Sequence, residues 1–117
     1  MKKKKPAPLE KQIERAILDY LNVWLGYFAW KNHTTGIYSK ERRQYLRPTG
    51  KYALRGVSDI ICVTPTGKVV FIEVKSAKGR VSDEQKEFIS RVAECNGYAF
   101  VARSIDDVID YYKENDL

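Results

Sequence analysis

Histidine is nearly absent: the chain has one, His33, in 117 residues. That excludes a metal site built on two histidines and any histidine-based metal-finger nuclease, and it leaves a Ser-His-Asp triad dependent on a lone loop residue. Cysteine is almost as scarce. Cys62 and Cys95 stand 33 residues apart and cannot supply a four-cysteine zinc site. Both read as reduced core residues rather than a disulfide, so a cytosolic protein of a bacterial or phage-infected cell is expected. No apolar run approaches the roughly 18 residues of a membrane span, and the first residues lack the apolar region of a signal peptide. No P-loop and no Gly-x-Gly-x-x-Gly occurs, so no small-molecule cofactor is implied. Internal repeats are missing too.

What the chain does have is basic charge. Lysine and arginine number 21 against 15 acidic residues, a net of +6. The excess is clustered. Lys2, Lys3, Lys4 and Lys5 form a basic tail, followed by prolines up to residue 8. Between Lys40 and Arg55 there are 6 basic residues (Lys40, Arg42, Arg43, Arg47, Lys51, Arg55) and one acidic, Glu41. Lys78 and Arg80 add a third group. Basic clusters interleaved with aromatics are the footprint of a nucleic-acid binder, and DNA is the expected partner.

The rest reads as one domain, residues 9–117. Leu9, Ile13, Ala16, Ile17, Tyr20, Leu21 and Trp24 recur at helical spacing, and Gly26 stops the helix. Glu10 falls at the edge of the apolar stripe and Glu14 further round. Glu10 reads either as a carboxylate needing a partner or as a favourable first-turn acid. Tyr27 to Asn32 reads as a strand and 33–50 as a long loop. Ile60–Val63 and Val69–Ile72 are strands joined by a turn at Pro65-Thr66-Gly67. Being apolar on both faces, they should be interior strands covered by helices on both sides. Ser82 and Gln85 form a capping box for a second helix with Phe88, Ile89, Val92 and Ala93 inward. Asn96-Gly97 ends it, Tyr98–Ala102 is a strand, and Ser104 caps a last helix with Ile105, Val108, Ile109 and Tyr112 inward and a frayed end. The expected fold is α/β, a mixed central sheet flanked by helices in the order α-β-β-β-α-β-α.

The hairpin carries the chemistry. If Thr64 pairs with Lys68, the register matches apolar with apolar and sets Asp59 opposite Glu73; a two-residue turn would shift it by one. Directly opposed side chains have Cβ atoms about 4.5–5.5 Å apart, so two carboxylates there repel unless a cation bridges them. Hard oxygen donors suit Mg²⁺ or Mn²⁺, with Asp59, Glu73, a backbone carbonyl near Val74 and Glu10 as candidate ligands. Lys75 lies on the same face as Glu73. In a basic protein this set suggests phosphodiester hydrolysis; by itself, a bare Glu-x-Lys is so common that it reads first as a salt-bridged surface strand end.

Asp59, thirteen intervening residues, then Glu73-Val74-Lys75 resembles the Asp…Glu-x-Lys core of the restriction-endonuclease-like nucleases, the PD-(D/E)xK superfamily. With Gly56-Val57-Ser58-Asp59, the stretch Gly79 to Gln85, the opening Glu10-Lys11-Gln12-Ile13 and Asn96-Gly97-Tyr98, the chain resembles the virus-type replication-repair nuclease (VRR-NUC) domain over nearly its whole length. The resemblance implies divalent metal and structure-selective cleavage of DNA, such as four-way (Holliday) junctions, by homodimers. It makes Asp59 and Glu73 metal ligands, Lys75 the catalytic lysine, Gln85 an active-site polar group and Glu10 the helix carboxylate, with Glu14 the alternative. Gln85 competes with its capping role, and both hold if the cap sits beside the metal. The aromatic cluster Tyr20, Trp24, Tyr27, Phe28 and Trp30 is the expected dimer surface. A DNA-binding accessory module without turnover is the alternative function.

Overall fold

The computed structural model describes residues 6–32, 37–46 and 50–117. Of the residues singled out above, Lys2 to Lys5, His33 and Arg47 lie outside them. Four strands form the main sheet in the order β1-β4-β5-β6: β1 (Phe28–Lys31), β4 (Ile60–Val63), β5 (Val69–Val74) and β6 (Tyr98–Ala102). β1 and β5 both run antiparallel to β4, and β6 lies parallel to β5. A parallel neighbour requires a crossover, and α2 (Asp83–Glu94) supplies it.

The hairpin register is the expected one. Ile60 pairs with Ile72 and Val63 with Val69, and the Thr64 N–H donates to the Lys68 carbonyl at 2.9 Å. The two faces of the sheet differ. Ile60, Cys62, Val70, Ile72 and Val74 point to one side and are fully buried. They meet Ile13, Ile17 and Leu21 from α1 (Glu10–Asp19) and its continuation, and Val108 and Tyr112 from α3 (Ile105–Glu114). On the other side α2 packs over β5 and β6, with Phe88 edge-on to Phe71 at 5.2 Å. β4 and β5 are interior strands, but this second face is only half covered: Phe28 and Trp30 on β1 stay exposed.

Several expectations are corrected. The first helix does not run as α-helix to Leu25. From Tyr20 to Trp24 it opens into a π-helical turn, with the Leu25 N–H reaching the Tyr20 carbonyl. A wider turn rotates each residue through a smaller angle, so Trp24 leaves the buried stripe and is 80% exposed. The turn brings Asn22 against β1, where its amide donates to the Ala29 carbonyl and accepts from the Ala29 N–H. The 33–50 segment is not all loop. It holds a two-stranded hairpin, β2 (Ile37–Ser39) and β3 (Gln44–Leu46), so the order gains two strands. Three-residue strands are too short for a periodicity signal, and the basic turn between them dominates the composition. In α2, Ala93 is exposed and Phe88, Ile89 and Val92 are half-buried, because the helix covers half a sheet rather than a full core. Cys95 is exposed at its end, while Cys62 is buried. The last turn is not frayed: the Leu117 N–H donates to Tyr112, and the Tyr27 hydroxyl donates to the Leu117 carbonyl at 3.0 Å.

Candidate active site

The site forms where β4 begins and β5 ends. The β4–β5 ladder stops at Ile60 and Ile72, and Asp59 follows on β4's N-terminal side, across from Glu73. Here a side chain extends the ladder. The Asp59 Oδ2 accepts the Val74 N–H at 2.9 Å. This bond fixes the Val74 peptide, whose carbonyl points to the same side of an extended strand as its N–H. The Val74 carbonyl is thus directed toward Asp59. On the other side the Lys75 N–H is taken by Ala102 of β6 at 3.0 Å. Asp59 itself is anchored by its carbonyl, which accepts the Asn32 N–H.

Glu73 is 1% exposed, an acid inside the sheet. Its Oε1 accepts the Gln85 amide at 2.8 Å and lies 3.8 Å from the Lys75 ammonium. Its Oε2 is buried with no donor. Burial, followed by the Asp59 carboxyl within hydrogen-bond reach and its charge, pushes the Glu73 carboxyl up to about 8; Lys75 pulls the other way and the Glu10 charge adds to the rise. An oxygen in this position is satisfied only by a proton shared with Asp59 or by a cation. The donor set therefore suits a hard divalent ion. Among the described residues, no group of three or more His, Cys, Asp or Glu side chains converges tightly enough to hold an ion unaided. Waters or phosphate oxygens would have to complete the shell.

Gln85 caps α2 and also contacts Glu73. Its Oε1 accepts the Ser82 N–H at 2.9 Å, while its own N–H donates to the Ser82 hydroxyl at 3.1 Å, a full capping box. Because the cap uses the amide oxygen, the amide nitrogen is left to face Glu73. The segment before Asp59 rests on the same helical turn. Gly56 has φ +75°, and a side chain there would strike the Glu84 carbonyl and come within 2.7 Å of the Gln85 nitrogen. One glycine thus sets the spacing between the Asp59 strand and the turn that holds Gln85.

The two helix carboxylates part company. Glu10 is exposed in the first turn of α1, near enough for its charge to reach Glu73. Glu14 pairs instead with Lys31 at 3.1 Å, on the opposite side of the sheet. Lys40, Arg42, Arg43, Lys51, Arg55, Lys78 and Arg80 are all exposed. Lys51 sits over the Tyr52 ring, and Arg55 lies 3.9 Å from Glu84.

One supporting residue was not visible in the sequence. The Arg103 guanidinium donates to the carbonyls of Ser76, Ala77 and Gly79, the loop that follows Lys75. Its own N–H is held by Asp107 at 2.8 Å. The loop curls back so that a side chain on Gly79 would come within 3.4 Å of the Lys75 stem. Arg103 thereby fixes the bed on which Lys75 lies. It stands more than 20 residues downstream and belongs to no motif, so only the fold reveals it.

A family model described as the VRR-NUC domain matches residues 5–106. No curated protein and no solved structure matches the chain. The match spans the opening helix, the Asp59–Glu73–Lys75 hairpin, the Gln85 helix and β6. The chain belongs to the VRR-NUC domain family, and its function is of the nuclease type, with DNA as the substrate.

Proposed function

We propose that the protein is a divalent-metal-dependent endonuclease that cuts branched DNA, four-way junctions foremost, as a two-fold dimer in replication, recombination or repair. The observation that carries the reading is the buried Glu73 Oε2, without a donor, opposite Asp59 and beside Lys75. Asp59, Glu73, the Val74 carbonyl and Glu10 would hold Mg²⁺ or Mn²⁺. When bound, such an ion supplies Lewis acidity at the phosphate and a lower pKa for an attacking water. Lys75 stands at the scissile phosphate, where its ammonium stabilises charge that grows in the transition state or orients the water. Gln85 keeps Glu73 in place. The exposed Lys40, Arg42, Arg43, Lys51, Arg55, Lys78 and Arg80, together with Lys2 to Lys5 and Arg47, supply the sequence-independent grip on the backbone.

A junction needs two nicks, and one copy of this domain offers one carboxylate pair. A two-fold dimer supplies both with one self-complementary patch. Of the five aromatics expected in that patch, Tyr27 is committed to the core, stacked on Tyr112 at 6.2 Å, and Tyr20 is half-buried against it. Val23 and Trp24, 76% and 80% exposed at the end of the first helix, remain for a partner subunit.

The test incubates purified protein with junction, flap, linear duplex and single-stranded DNA in Mn²⁺, Mg²⁺ or EDTA. Metal-dependent cutting of the junction ahead of the linear duplex is expected, and Asp59→Asn should abolish it. Tight binding with no cutting in either metal would make the protein a DNA-binding accessory module instead.

A further inference from the structure

The face of the sheet that bears Glu73 is only half roofed. In β1, Phe28 pairs with Val63 and Trp30 with Ile61. Side chains alternate across a strand, so Phe28, Trp30, Ile61, Val63, Val69, Phe71 and Glu73 share one side. α2 covers the β5–β6 half. The β1–β4 half is open: Phe28 is 66% exposed, Trp30 40% and Val69 42%. The Phe28 and Trp30 rings lie 5.1 Å apart, tilted by 49°. Large apolar side chains left in contact on an open sheet face mark a contact surface.

Its position says for what. Asp59 lies two residues beyond Ile61, on the same face, and Ile61 is the neighbour of Trp30. With strands about 4.8 Å apart and a rise of about 3.4 Å per residue, Trp30 and Asp59 are about 8 Å apart at the backbone. That is about two nucleotide steps at the stacked rise of about 3.4 Å. A protein seated on the rings would stand in the path of the phosphate that Asp59 and Glu73 must receive. A base of the same DNA strand would not, since it arrives with that phosphate.

We propose that Phe28 and Trp30 form a base-stacking platform that takes an unstacked nucleobase of the strand whose phosphate lies at Asp59 and Glu73. The inference rests on the nuclease reading and sharpens its substrate class. In an intact duplex every base is already stacked, and offering one to the platform costs the energy of unstacking it. Branch points, gaps and flaps supply such a base cheaply. The platform thus selects for interrupted duplex, while the basic clusters bind all DNA alike.

The chain has two tryptophans, so Trp24→Phe leaves Trp30 as the sole indole reporter while keeping an aromatic ring at the exposed position 24. This protein is titrated in EDTA with branched DNA, with the same DNA abasic at the branch nucleotides, and with linear duplex. Branched DNA should quench Trp30 emission, and the abasic form and the duplex should not. Phe28→Leu with Trp30→Leu keeps apolar cover on the sheet but removes the rings. It should weaken binding to branched DNA by about 5- to 150-fold for each stacked base lost and leave duplex binding within about twofold. Equal quenching by the abasic DNA, or parallel loss on duplex, overturns the platform. So does a shift of Trp30 emission with protein concentration alone, which would assign the face to a second copy. If Asp59→Asn still abolishes cleavage of the same DNA while Trp30 stays silent, the platform fails and the nuclease reading stands.

Discussion

Replacing Glu73 with glutamine should destroy cleavage and stabilise the metal-free protein. In the folded chain the Glu73 carboxyl is raised from 4.5 to about 8 by burial and by Asp59. A carboxyl raised in this way supports the fold fully below its unfolded value near 4.5, and that support drains away as pH climbs through 8. At pH 7 the unfolded chain releases the proton and the folded chain keeps it, a difference of about 2.5 pH units, or about 3 kcal/mol against folding. A glutamine at this position carries no such linkage. Its carbonyl can accept the Gln85 amide as Glu73 does at 2.8 Å, and its own amide can donate toward Asp59 where the acid needs a shared proton. The gain should therefore approach about 2–3 kcal/mol at pH 7, or about 8–12 °C in Tm for a domain of this size. Thermal melts in EDTA at pH 5, 7 and 9 read it directly. The wild-type Tm should fall across this range, and the variant's should fall far less. Mn²⁺ should then raise the wild type and leave the variant unmoved. A variant that melts below wild type at pH 7 in EDTA, or two curves that run parallel with pH, would refute the account of Glu73 as a strained acid awaiting a cation.

Proton competition at the same carboxyl predicts that apparent Mn²⁺ affinity rises about tenfold per pH unit up to about 8 and then levels, read from cleavage rates at limiting metal; a flat profile from pH 6 to 8 would exclude Glu73 as a ligand. Lys75→Ala should cut the single-turnover rate at least about a hundredfold with DNA affinity nearly unchanged, and a loss confined to binding would move Lys75 into the basic footprint. Arg103→Ala should lower the rate without weakening binding, with Arg103→Lys recovering only part because the shorter lysine does not carry its nitrogen to where the single Nη1 meets the three carbonyls; equal loss in rate and affinity would mean the loop grips DNA instead. Neutralising Arg42 and Arg43 should weaken binding to every DNA alike and lower the salt slope by about 2, whereas an unchanged slope would leave these charges merely solvated. Light scattering should report about twice the 13.5 kDa chain mass, falling to one chain in Trp24→Asp.

What could be read from the sequence follows from where its information is local. The hairpin register was legible because matching apolar with apolar leaves few choices, and that register alone sets Asp59 opposite Glu73. The cap made by Gln85 was legible for the same reason: a capping box is written in four consecutive residues. The π turn was not, since Tyr20 to Trp24 carries the same apolar residues whether wound at 3.6 or more per turn, and what selects the wider turn is Asn22 reaching β1. The half-open sheet face was equally hidden. Periodicity tells which residues of β4 and β5 face each side, but whether a helix lies over a given strand depends on where the crossover lands. Here it lands on β6 and reaches β5 through Phe88 against Phe71. From sequence alone the aromatics of β1 are therefore surplus apolar area seeking a second copy. In the structure Phe28 pairs with Val63 and Trp30 with Ile61, two residues from Asp59, and a surface so close to the candidate carboxylates is more simply explained by a DNA strand entering that site than by another protein.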